Sequence, residues 1–404
     1  MLFNGCEDER QRPVFEYSFT NPGDVGSQYP NMFQDSEGRI YMSWLEGIEE
    51  DIYTIRYTTF FEGQWTIPLT VGVSTNYFVN WADFPSIVGM NGNAVAAHWL
   101  RKIEGGPYAY NVNIVFPEES PRRWTDPITP HLDGTPTEHG FVSMYPISEE
   151  RVLAVWLDGR HTEGRGHDEY EDFSKAMTLR SAEVSADGTI SRSRVIDEAV
   201  CDCCQTDLVA VDDGFLVVYR DRTEEEIRDI SIAKYSNETG EWSEPQPVWN
   251  DGWEIRSCPV NGPRIAASGD NIAVAWYTMI DNESRVNVST STDGGQTFSE
   301  PVIIAGDESV GRVDLIMNDE GSLFISHMVW GDPFARVIIR ELRSDGELSA
   351  PLHVGTTDRS RSSGFPRMKQ TGDNILIAWT QTDPHYRLRT ALVPLSDFWR
   401  QEEN

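Results

Sequence analysis

The chain has 404 residues, and its 33 Lys plus Arg against 65 Asp plus Glu give a formal charge of −32. That balance repels nucleic-acid phosphates and anionic membrane surfaces over most of the molecule, so no nucleic-acid partner is expected. No run of about 18 apolar residues is present to cross a membrane as a helix, and the length suits one large repeat domain better than two or three ordinary ones.

The N-terminus, Leu2-Phe3-Asn4-Gly5-Cys6, has the form of a bacterial lipobox in which Cys6 would carry the lipid. Residues 1–12 are therefore read as a tail and lipoprotein-anchor remnant, 13–398 as one domain and 399–404 as a second tail. Contact with a membrane is expected only through that anchor. The same reading makes the protein exported, periplasmic or cell-surface, and a monomer.

Within 13–398, short apolar strands carrying an aromatic or histidine marker recur at Trp44, Trp99, Trp156, Tyr219, Trp276, His327 and Trp379, at separations of 55, 57, 63, 57, 51 and 52 residues. A proline stands 13 or 14 residues before four of these markers, at Pro30, Pro85, Pro263 and Pro366, where a strand begins and the missing N–H costs least. Each unit then closes on a phrase such as Trp65-Thr-Ile-Pro68 or Phe298-Ser-Glu-Pro301. This is the period of four-stranded blades, which predicts an all-β propeller of seven blades, with six as the alternative. The last unit lacks a fourth strand, and the apolar segment Pro13 to Phe19 is predicted to supply it and close the ring.

In such a blade the loops before the first strand and between the second and third share one rim. They bring together Trp81, Asp83, His139, Cys201, Cys203, Cys204, Cys258, Asn261, Arg312, Asp158, Arg160, His167, Arg220, Asp221 and Arg222. Asp83, Asp158, Asp221 and His139 are the candidate catalytic groups, since glycosidic cleavage uses paired carboxylates and proton transfer suits an imidazole. Arg160, Arg220, Arg222 and Arg312, with Trp81 and His167, are the candidate substrate contacts, because a guanidinium holds a carboxylate or sulfate with two parallel bonds. The stretch from Asp158 to Lys175 lengthens the third unit and reads as a lid. Cys201, Cys203, Cys204 and Cys258 are expected to be neighbours. They would form either disulfides in an oxidising compartment or a thiolate site for zinc or copper.

The turn Ser291, Asp293, Gly295, Thr297 and Phe298 resembles the Asp-box of bacterial sialidase-like, BNR-repeat propellers. The phrases around His139, Asp158, Cys201, Arg220 and Cys258 resemble that group too. For a true exo-sialidase the resemblance implies six blades, an arginine cluster on the sugar carboxylate, an Asp acid/base and a Tyr nucleophile activated by Glu. The leading expectation is thus a glycoside hydrolase acting on an acidic glycan or another small anionic ligand. A uronate polysaccharide lyase, and a non-enzymatic propeller binding metal or glycan through the cysteines, are the alternatives.

Overall fold

In the computed structural model, residues 16–118, 123–164 and 172–399 are described. They form seven antiparallel sheets in sequence order around a central channel. All seven repeat markers fall on the second strand of a blade. The strands around Trp156, Trp276 and Trp379, for example, run Arg151–Asp158, Asn271–Ile280 and Asn374–Gln381. These strands are packed by a blade on either side, so they read as continuous apolar runs rather than as alternation. Trp44, Trp156, Trp276 and Trp379 are all buried between neighbouring blades.

Four blades have a regular order of four strands, and three depart from it. In blade 1 the outer position is shared by Gln64–Trp65 and Leu69–Ser74, both paired to Ile52–Phe61. In blade 2 the fourth strand shrinks to isolated bridges, Pro117 to Trp124 and Ile114 to Ile128, the latter pair exchanging both backbone bonds at 2.8 Å. Blade 7 has three strands of its own. The N-terminal segment covers its edge: Phe19 N–H donates to Thr390 O at 2.7 Å, and Asn21 Nδ2 donates to Leu388 O at 2.6 Å. Ring closure by the chain's start is therefore seen, as an extended segment rather than a regular strand, and Pro13 to Phe15 lie outside the described residues. So do Cys6 and residues 400–404, whereas Trp399 packs on the blade 6–7 core. Deleting residues 1–20 should bare the edge at Arg387–Pro394 and lower the midpoint of thermal unfolding. An unchanged midpoint would show that the edge needs no cover.

The Asp-box turn joins the third and fourth strands of blade 5, Glu283–Ser291 and Val302–Ala305. Asp293 accepts from the N–H groups of Gln296 and Thr297 and from the Thr297 hydroxyl at 2.6 Å, while Gly294 and Gly295 take φ of 71° and 84°. These bonds, the Thr297 hydroxyl foremost, hold the carboxyl well below the usual range. The motif is a self-contained turn on the face opposite the rim.

Candidate functional site

The rim divides into three groups of side chains. The first surrounds Arg312, on the first strand of blade 6, Ser309–Met317. Arg312 itself takes φ 56°, and Gly311 before it takes φ 72° with Asn261 Oδ1 only 2.4 Å from where a Cβ would stand. Asn261 then accepts the Arg312 N–H at 2.7 Å, which fixes the strained backbone. The guanidinium reaches the next blade, donating from Nη1 to Ser363 Oγ at 2.6 Å and Gly364 O at 2.8 Å. It lies 5.1 Å from the centre of the Trp81 ring and 5.9 Å from that of Phe365. These two rings are themselves stacked, 5.8 Å apart at 8°.

No carboxylate among the described residues forms an ion pair with Arg312. Burial, with Arg361 nearby, lowers its pKa to about 10, so it remains a cation at neutral pH. Tyr29, at the start of blade 1, is buried and packs edge-on against Tyr386 at 6.4 Å. Its hydroxyl is pushed well above the ordinary phenol value by burial and by Tyr386, with the Arg312 charge opposing. Tyr29, Phe141, Val260 and Arg312 all take φ between 48° and 56° at the entrance to an inner strand. For residues with a Cβ this conformation is costly and tends to gather at functional sites.

The second group lies between blades 2 and 3. Arg160 holds Asp158 through Nε at 2.6 Å and Nη2 at 2.8 Å, and Trp156 Nε1 donates to the same carboxylate at 2.9 Å. Burial alone would raise Asp158, but Arg160, His139 and Trp156 together lower it. His139 Nε2 lies 3.3 Å from Asp133 Oδ2 and 3.7 Å from Asp158 Oδ1, and its ring stacks on His131 at 3.8 Å. His131, Asp133 and His139 are close enough to share a cation. However, His131 Nε2 accepts from Val112 N–H at 3.2 Å, which places the ring proton on Nδ1, the nitrogen facing Asp133. In this arrangement His131 is a donor to the carboxylate rather than a ligand.

Asp83 lies close by, 3% exposed, accepting from Phe141 N–H at 2.8 Å. A Cβ at Gly140 would fall 2.1 Å from its Oδ2, so only glycine fits there. Tyr110 donates to Glu138 at 2.5 Å. This is a Tyr–Glu pair, but its phenol is buried and held protonated by burial and by Glu138, unlike an activated nucleophile.

Burial raises Asp83 to about 7, with the Phe141 N–H and Tyr110 opposing. A carboxyl raised on folding adds stability that is fully present below the unfolded value near 3.8 and is lost as pH rises through about 7. Asp83→Asn should therefore flatten a stability loss between pH 5 and pH 8 of a few kcal/mol, at about 1.4 kcal/mol per pH unit. Denaturant unfolding of both proteins at the two pH values checks it, and parallel changes would refute the assignment.

The third group centres on blade 4. Arg220 is fully buried and spends its N–H groups on the carbonyls of Asn261, Arg228 and Tyr277 at 2.6 to 3.2 Å. Arg222 and Arg228 both bond Glu226, each with a contact of 2.7 Å. Arg220 and Arg222 are therefore braces inside the rim rather than free contacts for a ligand. Asp221 is tied to Arg222 N–H at 2.7 Å and Ser231 Oγ at 3.2 Å; burial and Asp197 raise it to about 6. His167 lies outside the described residues, as do the other residues of 165–171 within the predicted lid.

Cys203 and Cys258 form a disulfide across blades 4 and 5, while Cys201 and Cys204 remain thiols with sulfurs 3.5 Å apart. Arg228 Nη1 donates to Cys201 Sγ at 3.4 Å. Burial raises the Cys201 thiol, but the Cys204 S–H and the Arg228 and Arg220 charges outweigh it and lower the value. With the disulfide formed, two thiols are left and a guanidinium occupies one side of the pair, so a four-sulfur zinc or copper site would first require reduction of Cys203–Cys258.

Reading the sequence did not pick out Tyr29, His131, Asp133, Tyr110, Glu138 or Phe365 as site residues. They carry no local signal, since only the blade-to-blade packing brings them to the rim.

No protein-family model matches this chain, and no curated protein sequence matches it. Among solved structures, a PL25 ulvan lyase aligns over 95% of this chain and 94% of its own, at TM-score 0.53 and 12% identity. The same kind of enzyme bound to -[GlcA(1-4)Rha3S]- aligns over 95% and 96%, at 0.51 and 12%. A protein of unknown function from Dyadobacter fermentans aligns over 95% and 99%, at 0.50 and 10%. At these identities the likeness is one of fold, and it spans nearly the whole of this chain and of each neighbour.

Proposed function

We propose that this propeller is a carbohydrate-active protein that grips an acidic sugar by its carboxylate at Arg312, with Trp81 along the sugar ring, and cleaves the chain by elimination. The observation that carries the reading is Arg312 itself, a buried rim cation beneath an aromatic face with no carboxylate partner among the described residues. A planar guanidinium in a partly desolvated pocket is suited to bidentate carboxylate recognition. The fold likeness to a lyase bound to a glucuronate-containing chain agrees with a uronate ligand.

Elimination fits the rim better than hydrolysis. A glycosidase needs two carboxylates open to the sugar, whereas Asp83 is buried and Asp158 is neutralised by Arg160. Elimination needs a cation that neutralises the uronate carboxylate, so that a base can take the adjacent C–H proton as the double bond forms, and a group that gives a proton to the departing oxygen as its bond to carbon breaks. Tyr29, whose hydroxyl burial keeps protonated against the opposing Arg312 charge, is the candidate for the second task.

Incubation with glucuronate-containing polysaccharides separates the readings. Elimination yields an unsaturated product that absorbs in the ultraviolet. New reducing ends without that absorbance would mean hydrolysis, and saturable binding without either would mean a glycan-binding propeller.

A further inference from the structure

The central channel holds charges that the rim site does not use. Below the rim, the inner strands enclose a cavity of about 860 Å³ that is lined in part by Asp207, Arg264, Arg367 and Lys369. Arg264 is matched: its Nε lies 2.8 Å from Asp314 and its Nη1 3.2 Å from Asp207. Arg367 is not. It is 2% exposed, has no ion pair among the described residues, and bonds only through Nη1, to Val313 O at 3.4 Å and Pro366 O at 3.3 Å.

The Nε of Arg367 is buried with no hydrogen-bond partner, so the Nε–Nη2 edge, where a carboxylate docks with two parallel bonds, is unused. Lys369 stands two residues further along the same strand, Arg367–Thr371, on the same side of it. It likewise makes no ion pair among the described residues. Three cations thus share the inner channel, two of them without an ion pair among the described residues, in a protein whose formal charge is −32. Of the other lining carboxylates, Asp83 stands at the rim end, bonded to Phe141 N–H, and Asp35, Asp319 and Asp373 belong to the turns at the far end of the inner strands.

The roof of this cavity is closed. Gln205 spans the channel from blade 4, donating to Ala82 O at 2.7 Å and accepting from Gly262 N–H at 3.1 Å. Arg367 stacks on Phe84 at 5.2 Å and Phe365 at 5.3 Å, and the Phe365 ring is the one that also receives Arg312 at 5.9 Å. One aromatic layer therefore separates two arginines, one facing the rim and one facing the channel.

We infer that the channel is a second ligand site, in which a small monocarboxylate docks on the free edge of Arg367 and on the Lys369 ammonium. An uncompensated buried charge is costly and is normally paired. Arg367 and Lys369 both lack an ion pair among the described residues, and a carboxylate on the unused Arg367 edge supplies one. The cavity is larger than acetate requires and admits a short hydroxy acid as well.

Thermal unfolding and calorimetry with sodium acetate, against sodium chloride at the same ionic strength, test this on wild type, Lys369→Met and Arg312→Ala. Acetate should raise the wild-type midpoint saturably, and chloride should do so less. Lys369→Met should weaken acetate at least tenfold while being the more stable protein without anion, because it loses a half-buried cation that has no ion pair among the described residues. Arg312→Ala should bind acetate as wild type does. Absence of a saturable wild-type shift, or equal binding by Lys369→Met, would overturn the site. Loss of acetate binding in Arg312→Ala would move the carboxylate to the rim and overturn it too. Crystals of wild type soaked in 4-bromobenzoate, a monocarboxylate whose aryl bromide does not alkylate the protein, give a readout that needs no variant: an anomalous peak beside Arg367 supports the site, and none there refutes it.

Discussion

Arg312→Ala should remove recognition of an acidic glycan while leaving a folded propeller. Truncating one partner of a desolvated charge pair costs about 2–5 kcal/mol, which corresponds to a loss of roughly thirtyfold to several thousandfold in affinity or kcat/KM. The side chain bonds only Ser363 and Gly364 at short range, so its loss touches one loop of blade 7 rather than the ring. Arg312→Lys should recover little, because a point ammonium cannot reproduce the planar fork or the stack on Trp81. Titration with a glucuronate oligosaccharide, alongside a thermal melt, checks both halves. Wild-type affinity in Arg312→Ala would remove the rim site as proposed.

Glu226→Ala should have the largest effect on stability. Glu226 is 4% exposed and is shared by Arg222 and Arg228, both fully buried, so its removal strands two guanidinium groups without their common carboxylate. Breaking a buried pair from one side costs about 3–5 kcal/mol, and here two pairs break at once. Burial alone would raise the Glu226 carboxyl, but Arg222 and Arg228 bring it below its usual value. Its contribution is therefore present above the unfolded pKa and lost as pH falls through the folded one. Denaturant unfolding of Glu226→Ala and Glu226→Gln measures the cost. A change within experimental error would show that Asp202, 3.9 Å from Arg222, suffices as counter-charge.

Arg220 and Arg312 show how far a linear reading reaches. Both are rim arginines, Arg220 at the end of a second strand and Arg312 near the start of a first, and both were read as grips for a carboxylate. Nothing local separates them, since the difference lies largely in groups from other blades: Arg220 finds the carbonyls of Asn261 and Tyr277 there besides that of Arg228 in its own blade, and Arg312 finds an aromatic face and two short bonds. The Tyr110–Glu138 contact was invisible for the same reason, as its partners are 28 residues apart and meet across a loop with no fixed spacing.

By itself the sequence determined the propeller, its seven blades, the turn at Asp293 and the meeting of Cys258 with the Cys201 to Cys204 segment. Each of these follows from a period or a local pattern: strands buried between blades must be apolar runs, and equal spacing stacks equal positions on one rim. Only the tertiary structure decided which rim groups are braced and which stand free. That is a matter of desolvation and of hydrogen-bond partners drawn from distant blades, and neither is written in the neighbours of a residue along the chain.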